Sequence, residues 1–318
     1  APHQGLRAMF TMMNQARLGV GIQGLGVSDI AYQNALAYAK DRIQGRALSG
    51  AKNAELAADP ILVHGDVRRM LLSQKSFNEG ARALMGQQAL WLDEAERHND
   101  PQQQKKAAQL AALFTPIVKG FVTDQGFKAC VDAQQVFGGH GYIHEWGMEQ
   151  FVRDIRISMI YEGTNGVQAL DLVGRKVMAD KGAALKLWSE EVKTFIQLNH
   201  ENAAMKPFVS ALMAAANDLE KATSLIATEA AQKPDVIGAA SFAYMQLLGI
   251  TALTWMWARV ANKALTAIDS GAEDADFYQN KLKTAGFYIA YWTPQSRGLV
   301  KQIDSASQII CDFDAADF

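Results

Sequence analysis

The chain has 318 residues, which is long enough to bury a large core and to divide into two domains. Its 31 Lys and Arg residues nearly balance 33 Asp and Glu residues, and a formal net charge of −2 argues against a nucleic-acid partner. The two cysteines are far apart and lack the spacing of metal ligands, which is typical of a reducing compartment such as the cytoplasm.

The first part of the chain is predicted to contain two helices with an irregular stretch between them. Small and apolar residues recur at three- and four-residue spacing over residues 6–42, which favours a helix. Residues 45–60 are polar and end in Asp59-Pro60, which is typical of a loop. A second helix is expected to begin at Asp66.

A third helix has a strong start signal at Asp100-Pro101. Asp100 can cap free N–H groups, Pro101 fits the first helical position, and Gln103 can complete a capping box. We expect this helix to run to about residue 137. A kink or a short break is expected at Pro116, because proline has no N–H and clashes with the preceding turn.

The rest of the chain is predicted to be helical as well, so the fold class is all-α. Further helices are expected over residues 147–160, 166–180, 187–200, 207–232, 236–268 and 277–308. The periodic pattern weakens at residues 181–183. We place a domain boundary there, with one domain over residues 1–182 and a second over residues 183–318.

Residues 236–258 contain no charged side chain and are long enough to cross a membrane. A helix that is surrounded by other helices has the same composition. The stretch also contains Ser241, Gln246 and Thr251, and the rest of the chain alternates polar and apolar residues. We therefore favour a buried core helix and no membrane span.

Two loops that contain glycine come before and around a single carboxylate. The first is Gln135-Val-Phe-Gly-Gly-His-Gly-Tyr142, and the second is Tyr161-Glu-Gly-Thr-Asn-Gly-Val-Gln168. Glycines let a phosphate or a ribose approach the main chain and free the backbone around Glu162. The pattern predicts a cofactor site that contains a base. Taken alone, the glycines also fit a helix C-cap and Glu162 a helix cap.

Two further pairs of polar residues lie close to these loops in the sequence. His140 and His144 are four residues apart, as in a metal-binding pair, but the glycines beside His140 disfavour a helix there. We therefore predict no metal site. Arg153-Asp154 is interpreted as a structural ion pair that holds the loop and not as a catalytic pair.

These motifs, in this order, resemble the signature of the C-terminal helical domain of FAD-dependent acyl-CoA dehydrogenases. Residues 14–17 and 36–42 are similar to the first two helices of that domain, so the resemblance covers roughly residues 4–180. It implies an antiparallel helical bundle. The insertion before Pro60 and the added helices after residue 185 resemble the long subfamily that includes 3-methylmercaptopropionyl-CoA dehydrogenases, which implies a second helical bundle module.

The resemblance implies roles for individual residues. Glu162 matches the base that removes the α-proton of an acyl-CoA, and Arg17 and Gly163 match positions near that substrate. Positions expected to contact FAD are Arg42 and Gln44 at the pyrophosphate, Gln135, Val136, Gly138 and Gly139 at the adenosine part, and Thr164 and Gln168 after the base. The first six are expected to reach the flavin of a partner subunit, which implies a homodimer or homotetramer.

The resemblance also implies partners and a missing part. Members of the family pass electrons to electron-transfer flavoprotein, whereas a related acyl-CoA oxidase would use oxygen. They carry an N-terminal helical domain and a middle β domain ahead of the position of residue 6, so we expect this chain to be a C-terminal fragment that is inactive alone. The alternative for the fragment is a non-catalytic helical oligomerisation scaffold.

Overall fold

The computed structural model describes residue 3 and residues 5–318; the start of the first predicted domain, at residue 1, lies outside the described residues. In this part of the chain the structure is helical and has no strand, which confirms the all-α prediction; one isolated bridge joins Ile43 and Pro60. The helices are α1 (Gly5–Asp41), α2 (Gly65–Arg97), α3 (Pro101–Pro116), α4 (Val122–Val136), α5 (Gly139–Tyr142), α6 (Met148–Arg156), α7 (Asn165–Leu170), α8 (Ala183–Asn199), α9 (Lys206–Ala230), α10 (Val236–Asp269), α11 (Ala275–Tyr291) and α12 (Gln295–Asp312).

The third predicted helix begins, and departs from regular α-helical geometry, where its sequence indicates. The Asp100 carboxylate accepts a hydrogen bond from the Gln102 N–H, at 2.8 Å. The predicted capping box with Gln103 is wrong, because the Asp100 N–H donates to His98 Nδ1 instead. After Pro116 the chain forms a π-helical turn, Ile117–Phe121, and continues as α4. Because proline has no N–H to donate, the regular hydrogen-bond pattern of the α-helix is interrupted there, and a wider turn follows.

The helix predicted over residues 277–308 is in fact two helices. α11 ends at Tyr291 and α12 begins at Gln295, directly after Pro294. Proline removes a backbone donor and disfavours helical geometry in the residue before it. That residue, Thr293, is buried, and its hydroxyl pairs with that of Thr254 at 2.9 Å. The break therefore follows from a local proline and a tertiary contact.

Helix α10 is the centre of the molecule, as predicted for a buried core helix. It is the one described helix long and apolar enough to cross a membrane, yet 72% of its most apolar stretch is buried inside the protein. Full burial of one large apolar side chain, such as a leucine or a methionine of this helix, stabilises the fold by about 1.5–3 kcal/mol.

The hydrophobic core is continuous between the two predicted domains. Phe77 and Phe121 belong to the same buried cluster as Trp257 and Tyr288. Trp257 Nε1 donates to the Ser76 carbonyl at 3.0 Å, which ties α10 to α2. A left-handed turn at residues 181–182 joins the two parts of the chain. The second part thus packs directly against the helices that carry the predicted site.

Candidate active site

The predicted site residues lie in two groups. The first group lines an open groove of about 450 Å³ and comprises Arg42, Gln44, Gln135, Val136, Gly138 and Gly139. The second group, around Glu162, comprises Arg17, Gly163, Thr164 and Gln168. The groove lining contains none of the second group. We call these two groups part-sites, because the groove and the surroundings of Glu162 share none of the predicted residues.

Aromatic side chains form one wall of the groove. Tyr38 stacks on Phe137, with ring centroids 4.0 Å apart, and its hydroxyl pairs with His140 Nδ1 at 2.8 Å. His140 in turn stacks on Trp146. These contacts fix the turn after α4, and they leave the side chains of Arg42 and Gln135 exposed at the rim of the groove. A wall of stacked rings, beside donors that have no hydrogen-bond partner among the described residues, is suited to a polar, planar ligand.

The glycines of this turn have different functions. Gly138 has φ 59° and ψ −137°, a conformation that only glycine adopts easily, and a side chain there would meet open space. Gly139 is also open to the groove. Gly141 is buried, and a Cβ on it would lie 2.2 Å from the Gln134 carbonyl oxygen. The expectation that Gly141 lets a ligand approach the backbone is therefore wrong; it serves close packing.

A buried carboxylate organises the loop that carries Gln44. Asp59 is fully buried and accepts hydrogen bonds from the backbone N–H groups of Ala47, Lys52 and Asn53, and from Arg46. The bonds from the backbone, with that of Ala47 the largest cause, lower the pKa of Asp59 to about 2. Its contribution to stability is thus present above the unfolded pKa, near 4, and is lost as the pH falls towards 2.

We expect the Asp59→Ala variant to lose the ordered form of the loop while the helices stay folded. Three backbone donors would lose their acceptor, so the loop would open more often. Trypsin at pH 8 should then cut after Arg46 or Lys52 several times faster than in the parent protein. Asp29→Ala, which removes only a surface ion pair with Arg82, serves as the control. Equal cleavage rates would contradict the anchoring role.

The Glu162 loop has an unusual backbone. Glu162 has φ 59° and Gly163 has φ 86°, so two consecutive residues are left-handed. A non-glycine residue in this region costs about 1–2 kcal/mol and persists only where its surroundings hold it. The Glu162 carbonyl accepts from Arg17 Nε and Gln168 Nε2, both at 3.3 Å. Thr164 then caps α7 through its hydroxyl, which accepts from the Val167 N–H.

The Glu162 side chain is only half-buried, but one of its oxygens is withdrawn from water. Oε2 is buried and has no hydrogen-bond partner among the described residues, and the same holds for Oε1 of Gln168. Large apolar side chains nearby in sequence are exposed, among them Ile160, Val167 and Leu170. The loop thus carries an acceptor oxygen without a partner, and exposed apolar side chains precede and follow it along the sequence.

Three residues that support this loop were missed in the sequence. Lys119, in the π-helical turn, is fully buried and donates to the Gly163 carbonyl at 2.8 Å. Asn165 and Asp124 complete a buried polar cluster with it. The available signal was a single lysine within the otherwise apolar run from Pro116 to Phe121.

The structure corrects the interpretation of one polar pair and of the turn beside it. Asp154 accepts from Gln150 Nε2 at 2.6 Å, and no ion pair joins it to Arg153 in the described part of the chain, so the predicted structural pair is wrong. Residues 139–142 do form a helical turn, although the glycines disfavoured one. His144 pairs with Glu149, at 2.9 Å. Among the described residues no cluster of potential metal ligands is present.

Known proteins provide an independent comparison. Residues 3–178 match the family described as acyl-CoA dehydrogenase, C-terminal domain, and residues 188–314 match that described as acetyl-CoA dehydrogenase C-terminal like. The chain is 38% identical, over 90% of its length, to 3-methylmercaptopropionyl-CoA dehydrogenase from Ruegeria pomeroyi, of which it covers 48%. It spans about half the length of the curated relatives it matches.

Solved structures have the same fold at lower identity. Caenorhabditis elegans ACDH-11 in complex with C11-CoA superposes on 98% of this chain with a TM-score of 0.73 and 18% identity, and the match covers 49% of that protein. An acyl-CoA dehydrogenase from Bacillus anthracis complexed with FAD gives a TM-score of 0.71 at 16% identity, over 98% of this chain and 51% of that one. The family resemblance in the sequence is confirmed: the chain belongs to the acyl-CoA dehydrogenase family.

Proposed function

We propose that the protein of which this chain forms part oxidises an acyl-CoA thioester to the trans-2-enoyl-CoA, with Glu162 as the base that removes the α-proton. One observation carries the proposal: Oε2 of Glu162 is buried and unpartnered on a loop whose strained backbone is held by buried donors. A carboxylate oxygen that no other group of the protein occupies is available to accept a proton from a bound substrate. The backbone N–H of Glu162 is proposed to bind the thioester carbonyl of the substrate.

The residues of both part-sites fit FAD. Arg42 is exposed at the groove and has no ion-pair partner among the described residues, so it is free to bind a pyrophosphate, with Gln44 beside it. The open backbone at Gly138 and Gly139 would accept the adenosine part. Thr164 and Gln168, whose Oε1 is unpartnered, would contact the cofactor beside Glu162. When bound, FAD supplies the two-electron acceptor for the hydride from the β-carbon.

The separation of the two part-sites favours an oligomer. In the proposed arrangement the groove of one protomer binds the adenosine end of a flavin that serves Glu162 of its partner, as a homodimer or homotetramer. Arg17 is 7% exposed and bonds the Glu162 carbonyl, so its proposed place is below the loop at the edge of the acyl-CoA site. Electron-transfer flavoprotein in the cytoplasm is the proposed electron acceptor.

The full-length protein tests the proposal. We expect the purified protein to show flavin absorbance, and to reduce an artificial dye when given an acyl-CoA from a panel of straight, branched and 3-methylmercaptopropionyl thioesters. Oxygen consumption without dye, measured in parallel, distinguishes an oxidase from a dehydrogenase. A protein without flavin that oxidises none of the thioesters would overturn the proposed function.

A further inference from the structure

We propose that a buried chain of polar side chains couples α10, in the second half of the protein, to the Glu162 loop. Within this network of hydrogen-bonded side chains, Lys119 is the positioning residue that holds the loop. Gln246 is the residue through which α10 joins the network. The inference rests on the proposed role of Glu162 as the base. It gives the second helical part a function in positioning the proposed base.

Lys119 forms the end of the chain nearest the loop. Its ammonium donates to the Gly163 carbonyl and to Asn165 Oδ1, each at 2.8 Å, and the side chain is 0% exposed. Gly163 is the second of the two left-handed residues, so a hydrogen bond to its carbonyl restrains the strained segment that carries Glu162. Without this donor the strained backbone would lose a buried partner.

Asn165 and Asp124 form the middle of the chain. Asn165 Nδ2 lies 2.7 Å from Asp124 Oδ1 and 2.9 Å from Thr123 Oγ1. Asp124 is 5% exposed, and its other oxygen accepts from α10. Both oxygens of a buried carboxylate are thereby used, which is required for such a group to remain in a protein core.

Gln246 forms the end of the chain on α10. Its Nε2 donates to Asp124 Oδ2 at 2.9 Å, and its Oε1 accepts from Gln125 Nε2 at 2.6 Å. The hydroxyls of Ser241 and Thr251, also buried on α10, donate to backbone carbonyls instead. The acceptor is on α10 for Ser241, and on α10 and α9 for Thr251. Of these three polar side chains, Gln246 is therefore the one that bonds Asp124 and Gln125 on α4.

Burying the charges of Lys119 and Asp124 costs free energy, so their presence calls for a reason other than stability. Burial lowers the pKa of Lys119 to about 8; Asp124 and Glu162 oppose this change, whereas Arg17 adds to it. Burial likewise raises the pKa of Asp124, against the hydrogen bonds from Asn165 and Gln246. A well-packed apolar group in place of buried charges is often neutral or stabilising, so stability alone is a weak reason for such a cluster. Fixing the base in one place is a stronger one.

The test uses the full-length protein with two variants and a matched control. Lys119→Met keeps the length of the side chain without its charge. Gln246→Leu removes the hydrogen bonds at the α10 end of the polar network. Thr251→Val, the control, alters a buried polar group of α10 that is not part of that network. We expect Lys119→Met to lower kcat per bound flavin about 10- to 100-fold, since a displacement of about 1 Å costs about 10²-fold, with KM changed less than about threefold. Gln246→Leu should give a smaller loss of kcat, and Thr251→Val none.

Hydrogen–deuterium exchange of the peptide over residues 157–170 gives a readout that does not depend on activity. We expect faster exchange there in Lys119→Met and Gln246→Leu than in Thr251→Val and the parent protein. Unchanged kcat per flavin together with unchanged exchange in both variants would overturn the inference, and if Lys119→Met does not fold, Gln246→Leu decides. A parent protein that oxidises no acyl-CoA overturns the proposed function separately, while the exchange data still test the coupling.

Discussion

Replacing Glu162 with Gln is expected to lower kcat of the full-length protein on its best acyl-CoA by about 10³-fold or more. Removal of a positioned general base costs about 10²–10⁴-fold, and glutamine cannot accept the α-proton. The variant preserves the shape of the side chain, and the hydrogen bonds from Arg17 and Gln168 reach only the backbone carbonyl of this residue. Flavin content and KM should therefore change less than a few-fold, as measured by absorbance and dye-coupled kinetics.

Glu96→Gln is the matched control, because Glu96 is an exposed glutamate on α2 far along the chain from the loop. It should retain the parent kcat and the parent thermal unfolding temperature. If Glu162→Gln kept more than about a tenth of the parent kcat, the proton would have to leave through another group, and the assignment of Glu162 as the base would be wrong.

Helix positions could be predicted from the sequence because most of them depend on signals that are local. Asp100 and Pro101 fix the start of α3, and Pro116 fixes the π-helical turn after it. The break at Pro294 also had a local signal, but the apolar pattern continues on both sides and hides it. Trp292 and Thr293 are buried there by contacts with residues far away in the chain.

The site could be predicted only as far as its motifs reach. The sequence brought together Glu162 and its neighbours because they are consecutive, and it separated the glycine turn from them. Lys119 escaped because its acceptors lie 44 and 46 residues further along the chain. A lysine in an apolar run is also consistent with a side chain that reaches the surface. Only tertiary structure shows that this one ends under a backbone carbonyl.

Glycines show the same limit, since a sequence cannot distinguish a flexible glycine from one required by a close contact. Gly138 requires its positive φ, whereas Gly141 requires the absence of a Cβ. Gly249, in the middle of α10, looks like a weak point in a helix from its sequence context. In the structure it is where the aromatic ring of Phe121 packs against the helix.

Gly249→Ala is accordingly expected to destabilise the protein, although alanine is the better helix former by about 1 kcal/mol. A Cβ at this position would lie 2.3, 2.5 and 2.6 Å from three ring atoms of Phe121, which is itself fully buried. Overpacking of this kind costs about 1–3 kcal/mol and at times more, so the steric effect outweighs the helix propensity. We expect a net loss of about 2 kcal/mol in the free energy of unfolding, measured as a lower melting temperature of the full-length protein.

Gly238→Ala, on the same helix, separates the two effects, because among the described residues an added Cβ there would meet no atom within 4 Å beyond the adjacent backbone of α10. Helix propensity then acts alone, and this variant should be more stable by about 0.5–1 kcal/mol. Phe121→Ala should then destabilise the Gly249→Ala protein less than it destabilises the parent, because alanine lacks the three ring atoms that clash. Phe121 lies in the turn that carries Lys119, and Gly249 lies on α10. A Gly249→Ala protein as stable as Gly238→Ala would therefore contradict close packing of α10 against this turn.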